Sequence, residues 1–129
     1  YPTRIERYVE EVPEIAYDLV ELSEKPLTII YPNAQYLAEN LIGEDGSIGI
    51  RVADDPFCRE LITRFKKPIV STSANLSGVQ APSIFSEIDS EIIEHVDYVV
   101  KWKQDDVTKK PPSGIIKIGT RGEVQIIRE

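Results

Sequence analysis

Apolar residues recur along this chain at two periods, and they divide it into alternating helical and extended segments. Ile15, Leu19 and Leu22 share one helical face with carboxylates between them, which predicts a helix over 13–22 with Pro13 in its first turn. Residues 4–11 read as a shorter helix before it. Leu27 to Tyr31 is a compact apolar run of the length of a buried strand. Ala34 to Ile42 reads as a helix stopped by Gly43, and Glu44-Asp45-Gly46 turns the chain into a strand over 47–52. Asp54-Asp55-Pro56 is a helix start, with a carboxylate ahead of a first-turn proline. Phe57, Leu61 and Phe65 continue that helix on one face to about Lys66, where Lys66 and Lys67 suit the negative end of its dipole. Pro68-Ile69-Val70 predicts a strand leading into a polar loop. Asp89 caps a short helix through Val96, Tyr98 to Trp102 alternates as a strand, and 104–112 is a polar loop. Residues 115–118 and 124–127 form a hairpin through Gly119-Thr120-Arg121-Gly122, whose glycines allow positive φ. The order predicts one α/β domain over residues 1–129 with an open, mixed sheet flanked by helices.

Composition narrows the function. The 129 residues carry 22 acidic against 15 basic side chains, a net charge of −7. Polynucleotide binding through the phosphate backbone needs clustered Lys and Arg. Here the basic residues are scattered, with only Lys66-Lys67 and Lys109-Lys110 as pairs, so direct nucleic-acid binding by this chain is not expected. The single cysteine, Cys58, excludes an intramolecular disulfide and fits a reducing, cytoplasmic setting. No apolar run approaches the ~20 residues of a membrane helix, and no secretory leader opens the sequence. One His and one Cys leave no transition-metal cluster. His95 reads as a solvated helix residue, and Trp102 as an edge aromatic or, beside Lys101 and Lys103, a stacking platform.

The stretch Ser71-Thr72-Ser73-Ala74-Asn75-Leu76-Ser77-Gly78 holds the most chemistry. It follows the predicted strand 68–70, at the end of a strand where open α/β sheets bind ligands. Hydroxyls, an amide and a turn glycine can surround an oxyanion there. The same residue types are also ordinary turn formers, and composition alone favours that plainer reading.

The string as a whole is more specific than its composition: it resembles the signature of the YrdC-like family. The likeness runs on in order through the chain. Lys25-Pro26-Leu27-Thr28-Ile29-Ile30 resembles the family's Pro-Leu-Thr strand, and Gly49-Ile50-Arg51-Val52 its Gly-Val-Arg strand. Ser113-Gly114-Ile115-Ile116 resembles a Ser-Thr-Val-Val strand, with Gly114 where threonine is usual. Ile126-Ile127-Arg128 resembles the closing hydrophobic-hydrophobic-Arg. Members make threonylcarbamoyl-adenylate from threonine, bicarbonate and ATP for tRNA modification. The resemblance implies the YrdC-like fold. It also implies ATP as a substrate, with Mg²⁺ carried on its phosphates, and a tRNA-modifying transferase that takes the product. By the same resemblance Ser73 and Asn75 meet the phosphates and the reacting centre, with Ser71 beside them. Arg51 faces the threonine and phosphate end, Thr28 the substrate, and Ser113 and Arg128 the nucleotide. A bidentate guanidinium suits carboxylate or phosphate. Each also has a plain structural reading: turn capping for Ser73 and Asn75, strand propensity for Thr28, surface charge for Arg51 and Arg128.

The family's first motif, Thr-Asp/Glu-Thr-x-Tyr-Gly-Leu, and its Lys-x-Arg do not occur in this sequence. Tyr1-Pro2-Thr3 resembles the start of the first motif, yet Arg4 follows at once, as if a block were removed between them. The chain is therefore expected to be the C-terminal portion of the family domain, impaired in synthesis as it stands. The alternative is a non-catalytic module of the same family that binds a nucleotide or double-stranded RNA.

Overall fold

The computed structural model describes residues 2–129, with the backbone alone for Pro2 and Thr3. Tyr1, and with it the opening Tyr1-Pro2-Thr3 match, lies outside the described residues. The chain divides into two compact units, one of residues 1–54 with 113–129 and one of residues 55–112. Each is described by itself.

The first unit is a sheet with a helix. Leu27–Tyr31 (β1) is rich in β-branched and aromatic residues, which suit a pleated, half-buried surface. Ile48–Arg51 (β2) lies antiparallel to it, Gly114–Ile118 (β3) parallel to it, and Val124–Arg128 (β4) antiparallel to β3. The strand order is β2-β1-β3-β4, an open mixed sheet, so the expected α/β class holds. Alternation sends Ile29, Tyr31 and Ile118 into the core, with Leu27, Ile48, Ile50 and Ile116 packed partly against it. The helix Glu14–Leu22 (α1) adds Ala16, Leu19 and Val20, and a 3-10 helix over Pro2–Arg7 leads Ile5 and then Val9 into the same cluster. Thr28, Ile30, Gly49, Arg51, Ile115 and Lys117 alternate to the opposite face. The β3–β4 register shifts between Ile115 and Ile116, so Ile127 is an extra residue and β4 carries a bulge beside Arg128.

The second unit contains the helices Pro56–Phe65 (α2) and Ser90–His95 (α3) and a 3-10 turn, Phe85–Glu87. The Asp55 carboxylate accepts from the Cys58 N–H at 3.1 Å, with Pro56 in the first turn, and Asp89 accepts from the Glu91 N–H at 2.8 Å. Both caps were legible in the sequence. Phe57 and Trp102 stack with ring centres 5.5 Å apart.

Four expected elements are replaced. Residues 34–42 form only a 3-10 turn at Glu39–Leu41. Backbone donors there are already used across the fold: Ala34 N–H bonds the Gly46 carbonyl and Gln35 N–H that of Tyr8, while Asn33 and Tyr36 adopt left-handed φ of 56° and 58°. Tertiary hydrogen bonds thus override the apolar spacing. Gly43 is accordingly no helix cap; the positive φ belongs to Gly46. The first segment is a 3-10 turn closed by a Val9–Ala34 bridge, not an α-helix. Residues 68–70 and 98–102 form no strand, since neither segment has a ladder partner among the described residues. Val70 and Tyr98 stand 67% and 72% exposed.

Candidate functional site

The sheet registers bring four sequence-predicted positions into line. Arg51 stands opposite Thr28, Thr28 opposite Ile115, and Ile115 opposite Arg128, so one row crosses all four strands. Strand spacing puts its two arginines about 14 Å apart at the backbone. Arg51 is exposed, and its guanidinium has no hydrogen-bond or ion-pair partner among the described residues. That leaves a full fork for a ligand carboxylate or phosphate.

The other end of the row is internally bound. The Thr28 and Ser113 hydroxyls lie 2.8 Å apart, bridging 85 residues of sequence. Arg128 donates from Nε and Nη2 to the Ser113 carbonyl at 2.9 and 2.7 Å, which leaves its Nη1 hydrogens for a ligand. A Cβ on Gly114 would meet the main-chain oxygens of Arg128 and Glu129 at 3.4 Å. That is ordinary van der Waals contact, and the Gly114 backbone is not left-handed, so the structure gives no packing reason for glycine in place of the usual threonine. A depression of about 210 Å³ beside it is lined by Lys25, Leu27, Ile116, Ile126 and Arg128, among others. That is below the roughly 300–1,000 Å³ of ligand pockets and fits one group rather than a whole nucleotide.

Around the row, Lys117 Nζ meets Asp45 Oδ2 at 2.8 Å and the Ser47 hydroxyl donates to Asp45 Oδ1 at 2.6 Å. The Lys117 hydrogen bond, then those from Ser47, hold the Asp45 carboxyl well below its ordinary range. On the core side, the Tyr17 hydroxyl donates to Glu6 Oε1 at 2.5 Å. Burial, then the Glu6 contact, pushes the Tyr17 phenol up to about 12. The Tyr31 hydroxyl is buried without a hydrogen-bond partner among the described residues, and burial raises its pKa.

In the second unit the polar loop takes its shape from Asn75. Its Nδ2 donates to the carbonyls of Leu76 (3.0 Å) and Val79 (2.8 Å), and the Val79 N–H closes a turn onto the Leu76 carbonyl. Gly78 supplies the positive φ of 80°. Reversing the amide would face its oxygen against two carbonyls, so these partners fix its orientation. Both donors being engaged, Asn75 has left over its Oδ1, which is buried and without a hydrogen-bond partner among the described residues. What it can offer a ligand is an acceptor. Ser71 and Ser73 are exposed, with hydroxyls able to donate. Turn capping thus occupies the amide nitrogen of the Asn75 side chain and leaves its oxygen uncommitted.

The Thr28–Ser113 contact and the Arg128 fork escaped sequence reasoning, because the parallel β1–β3 register brings the first together and the antiparallel β3–β4 pairing the second. His95 bonds the Glu91 carbonyl of its own helix at 2.6 Å. No group of three or more His, Cys, Asp or Glu side chains placed to hold a metal occurs among the described residues. No helix among them is long and apolar enough to cross a membrane.

Comparison with known proteins adds a family. The family model for Sua5, YciO and YrdC, described as "Telomere recombination", matches residues 2–129. A candidate threonylcarbamoyl-AMP synthase of Methanocaldococcus jannaschii is 41% identical over 93 residues, covering 72% of this chain and 42% of its own. The threonylcarbamoyl-AMP synthase of Photobacterium profundum is 34% identical over 76 residues, 59% of this chain and 41% of its own. That of Vibrio cholerae is 31% identical over 99 residues, 74% of this chain and 53% of its own. The match thus spans about two-fifths of the length of the first of these relatives. No solved structure matches the chain significantly.

Proposed function

The chain belongs to the Sua5/YciO/YrdC family, and on that premise we propose that it serves the ATP-dependent synthesis of threonylcarbamoyl-adenylate. Threonine and bicarbonate condense to N-carboxythreonine with loss of water. A carboxylate oxygen of that carbamate attacks the α-phosphorus of ATP; the new O–P bond forms as the bond to pyrophosphate breaks. Such chemistry needs positioning and charge stabilisation more than a protein nucleophile.

The observation that carries this reading is the cross-sheet row ending in one unengaged arginine and one oriented arginine. In the proposed reaction Arg51 takes the threonine carboxylate and the charge that develops near the phosphates. Ser113 and Arg128 serve the nucleotide. Ser71 and Ser73 donate hydroxyls to phosphate oxygens, and the Asn75 acceptor receives an N–H or O–H of the reacting substrate. Mg²⁺ enters on the ATP phosphates. The setting is the cytoplasm, and the product passes to a transferase that installs threonylcarbamoyl on tRNA adenosine. Two relatives named threonylcarbamoyl-AMP synthase support the assignment.

Because no Lys-x-Arg occurs in the sequence, two cations of the family site are wanting, and the 129-residue chain alone is expected to synthesise slowly. The test is pyrophosphate release with all three substrates. Slow release by this chain and faster release by a form extended to carry the Lys-x-Arg segment are expected. No release from the extended form sinks the enzyme assignment, and a full family rate from the short chain sinks the impairment.

The missing Lys-x-Arg also favours a second reading, a module that binds nucleotide or double-stranded RNA without synthesis. Calorimetry with ATP and with double-stranded RNA separates the cases. RNA binding with a steep salt dependence and no ATP binding would support the module.

A further inference from the structure

Ser113 is gripped at both of its polar groups. Its carbonyl oxygen takes two hydrogen bonds from the Arg128 guanidinium, and its hydroxyl lies 2.8 Å from that of Thr28. The backbone beside it is fixed as well, since the Gly114 N–H bonds the Pro26 carbonyl at 3.1 Å. The two hydroxyls are not equivalent partners. Thr28 sits inside β1 and is β-branched, so its χ1 is stiff. Ser113 precedes β3 on irregular chain, where an unbranched side chain turns freely.

We propose that Thr28 is a positioning residue that acts through Ser113, holding the Ser113 hydroxyl in the orientation that donates to an oxyanion of the nucleotide. This rests on the reading of Ser113 and Arg128 as nucleotide residues. Each hydroxyl carries one hydrogen and accepts through two lone pairs. One hydrogen is used inside the pair, so the pair presents a single outward O–H. A phosphate oxygen, which only accepts, selects the sense in which Thr28 donates to Ser113 and Ser113 donates to phosphate. The inner bond then polarises the outer one.

The test is calorimetric titration of ATP, and separately of threonine, into the 129-residue chain and its variants. Thr28→Val is close to isosteric and lacks only the hydroxyl. It should weaken ATP about 5–10-fold, the effect of one lost hydrogen bond, and leave threonine affinity unchanged. Thr28→Ser restores the hydroxyl and should bind ATP like the parent, which separates positioning from general loss of packing. Ser113→Ala should match Thr28→Val, and the double variant should be no weaker than Ser113→Ala alone, because both changes cut one chain of contacts. A further loss when Thr28→Val is added to Ser113→Ala means that Thr28 touches the ligand itself and overturns the proposal. So does a weakening by Ser113→Ala that Thr28→Val fails to reproduce. If Ser113→Ala leaves ATP affinity intact, the nucleotide assignment of Ser113 fails first and takes the proposal with it.

Discussion

The two units carry candidate site residues on very different foundations. All buried residues described, Ile5, Val9, Ala16, Ile29, Tyr31 and Ile118, belong to the sheet unit, and residues 55–112 bury none. Charge divides along the same line: thirteen acidic against seven basic residues in the sheet unit, nine against eight in the other. In the sheet unit, ladder hydrogen bonds and a packed face fix each strand side chain by register, so Arg51, Thr28 and Arg128 are placed by the fold itself, and Ser113 is held by its contacts with the last two. In the second unit the polar loop is shaped by one of its own side chains, Asn75, and the helices rest on caps and an aromatic stack. The lesson is that a site residue set by a ladder is as stable as the core beneath it. One set by a local turn survives on local hydrogen bonds and opens at lower free energy.

The sharpest break of this contrast is a core truncation. Ile29→Ala should cost about 2–5 kcal/mol in urea unfolding, while Leu61→Ala, at a position 43% exposed, should cost under about 1 kcal/mol. Equal costs would erase the distinction between the units. Next in size is Arg51→Ala, which should lower kcat/KM for pyrophosphate release about 10–100-fold, the worth of a charged hydrogen bond. It should leave the melting temperature unchanged, because the guanidinium is solvated. Arg51→Lys keeps the charge without the fork and should recover only part of the loss.

Smaller again is Asp55→Ala, which removes the α2 cap for about 1 kcal/mol. Its effect should appear as faster amide exchange confined to residues 56–65, with exchange in β1 and β3 unmoved. The smallest effect concerns pH. The fold raises the Tyr17 phenol from 10.0 to about 12, so the folded state holds that proton more tightly than the unfolded chain. The resulting stability is fully present below pH 10 and is lost as pH rises toward 12. Tyr17→Phe should therefore flatten the alkaline fall in melting temperature, and an unchanged slope would remove the Glu6–Tyr17 contact from the account.

Legibility in the sequence follows the same division. β1, the hairpin β3–β4 and both carboxylate caps were readable, because each depends on local pattern or on residues a few positions apart. Residues 34–42 were not, since their backbone donors are taken by Tyr8 and Gly46 rather than by their own turn. Residues 68–70 and 98–102 have a strand's pattern without a ladder to join, and pattern cannot report a partner. For the candidate site, motif order named Thr28, Arg51, Ser71, Ser73, Asn75, Ser113 and Arg128. It could not show that Asn75 spends its donors on its own loop, or that Thr28 and Ser113 meet.

The proposed adenylation makes Arg51 and Asn75 each necessary for the reaction. It is tested most directly by pyrophosphate release from the form extended to carry Lys-x-Arg, measured for the parent, Arg51→Ala and Asn75→Ala. Release that requires threonine, bicarbonate and ATP together, and that falls at least about tenfold in each variant, is the expected result. Release that proceeds without threonine, or that is indifferent to either substitution, contradicts it.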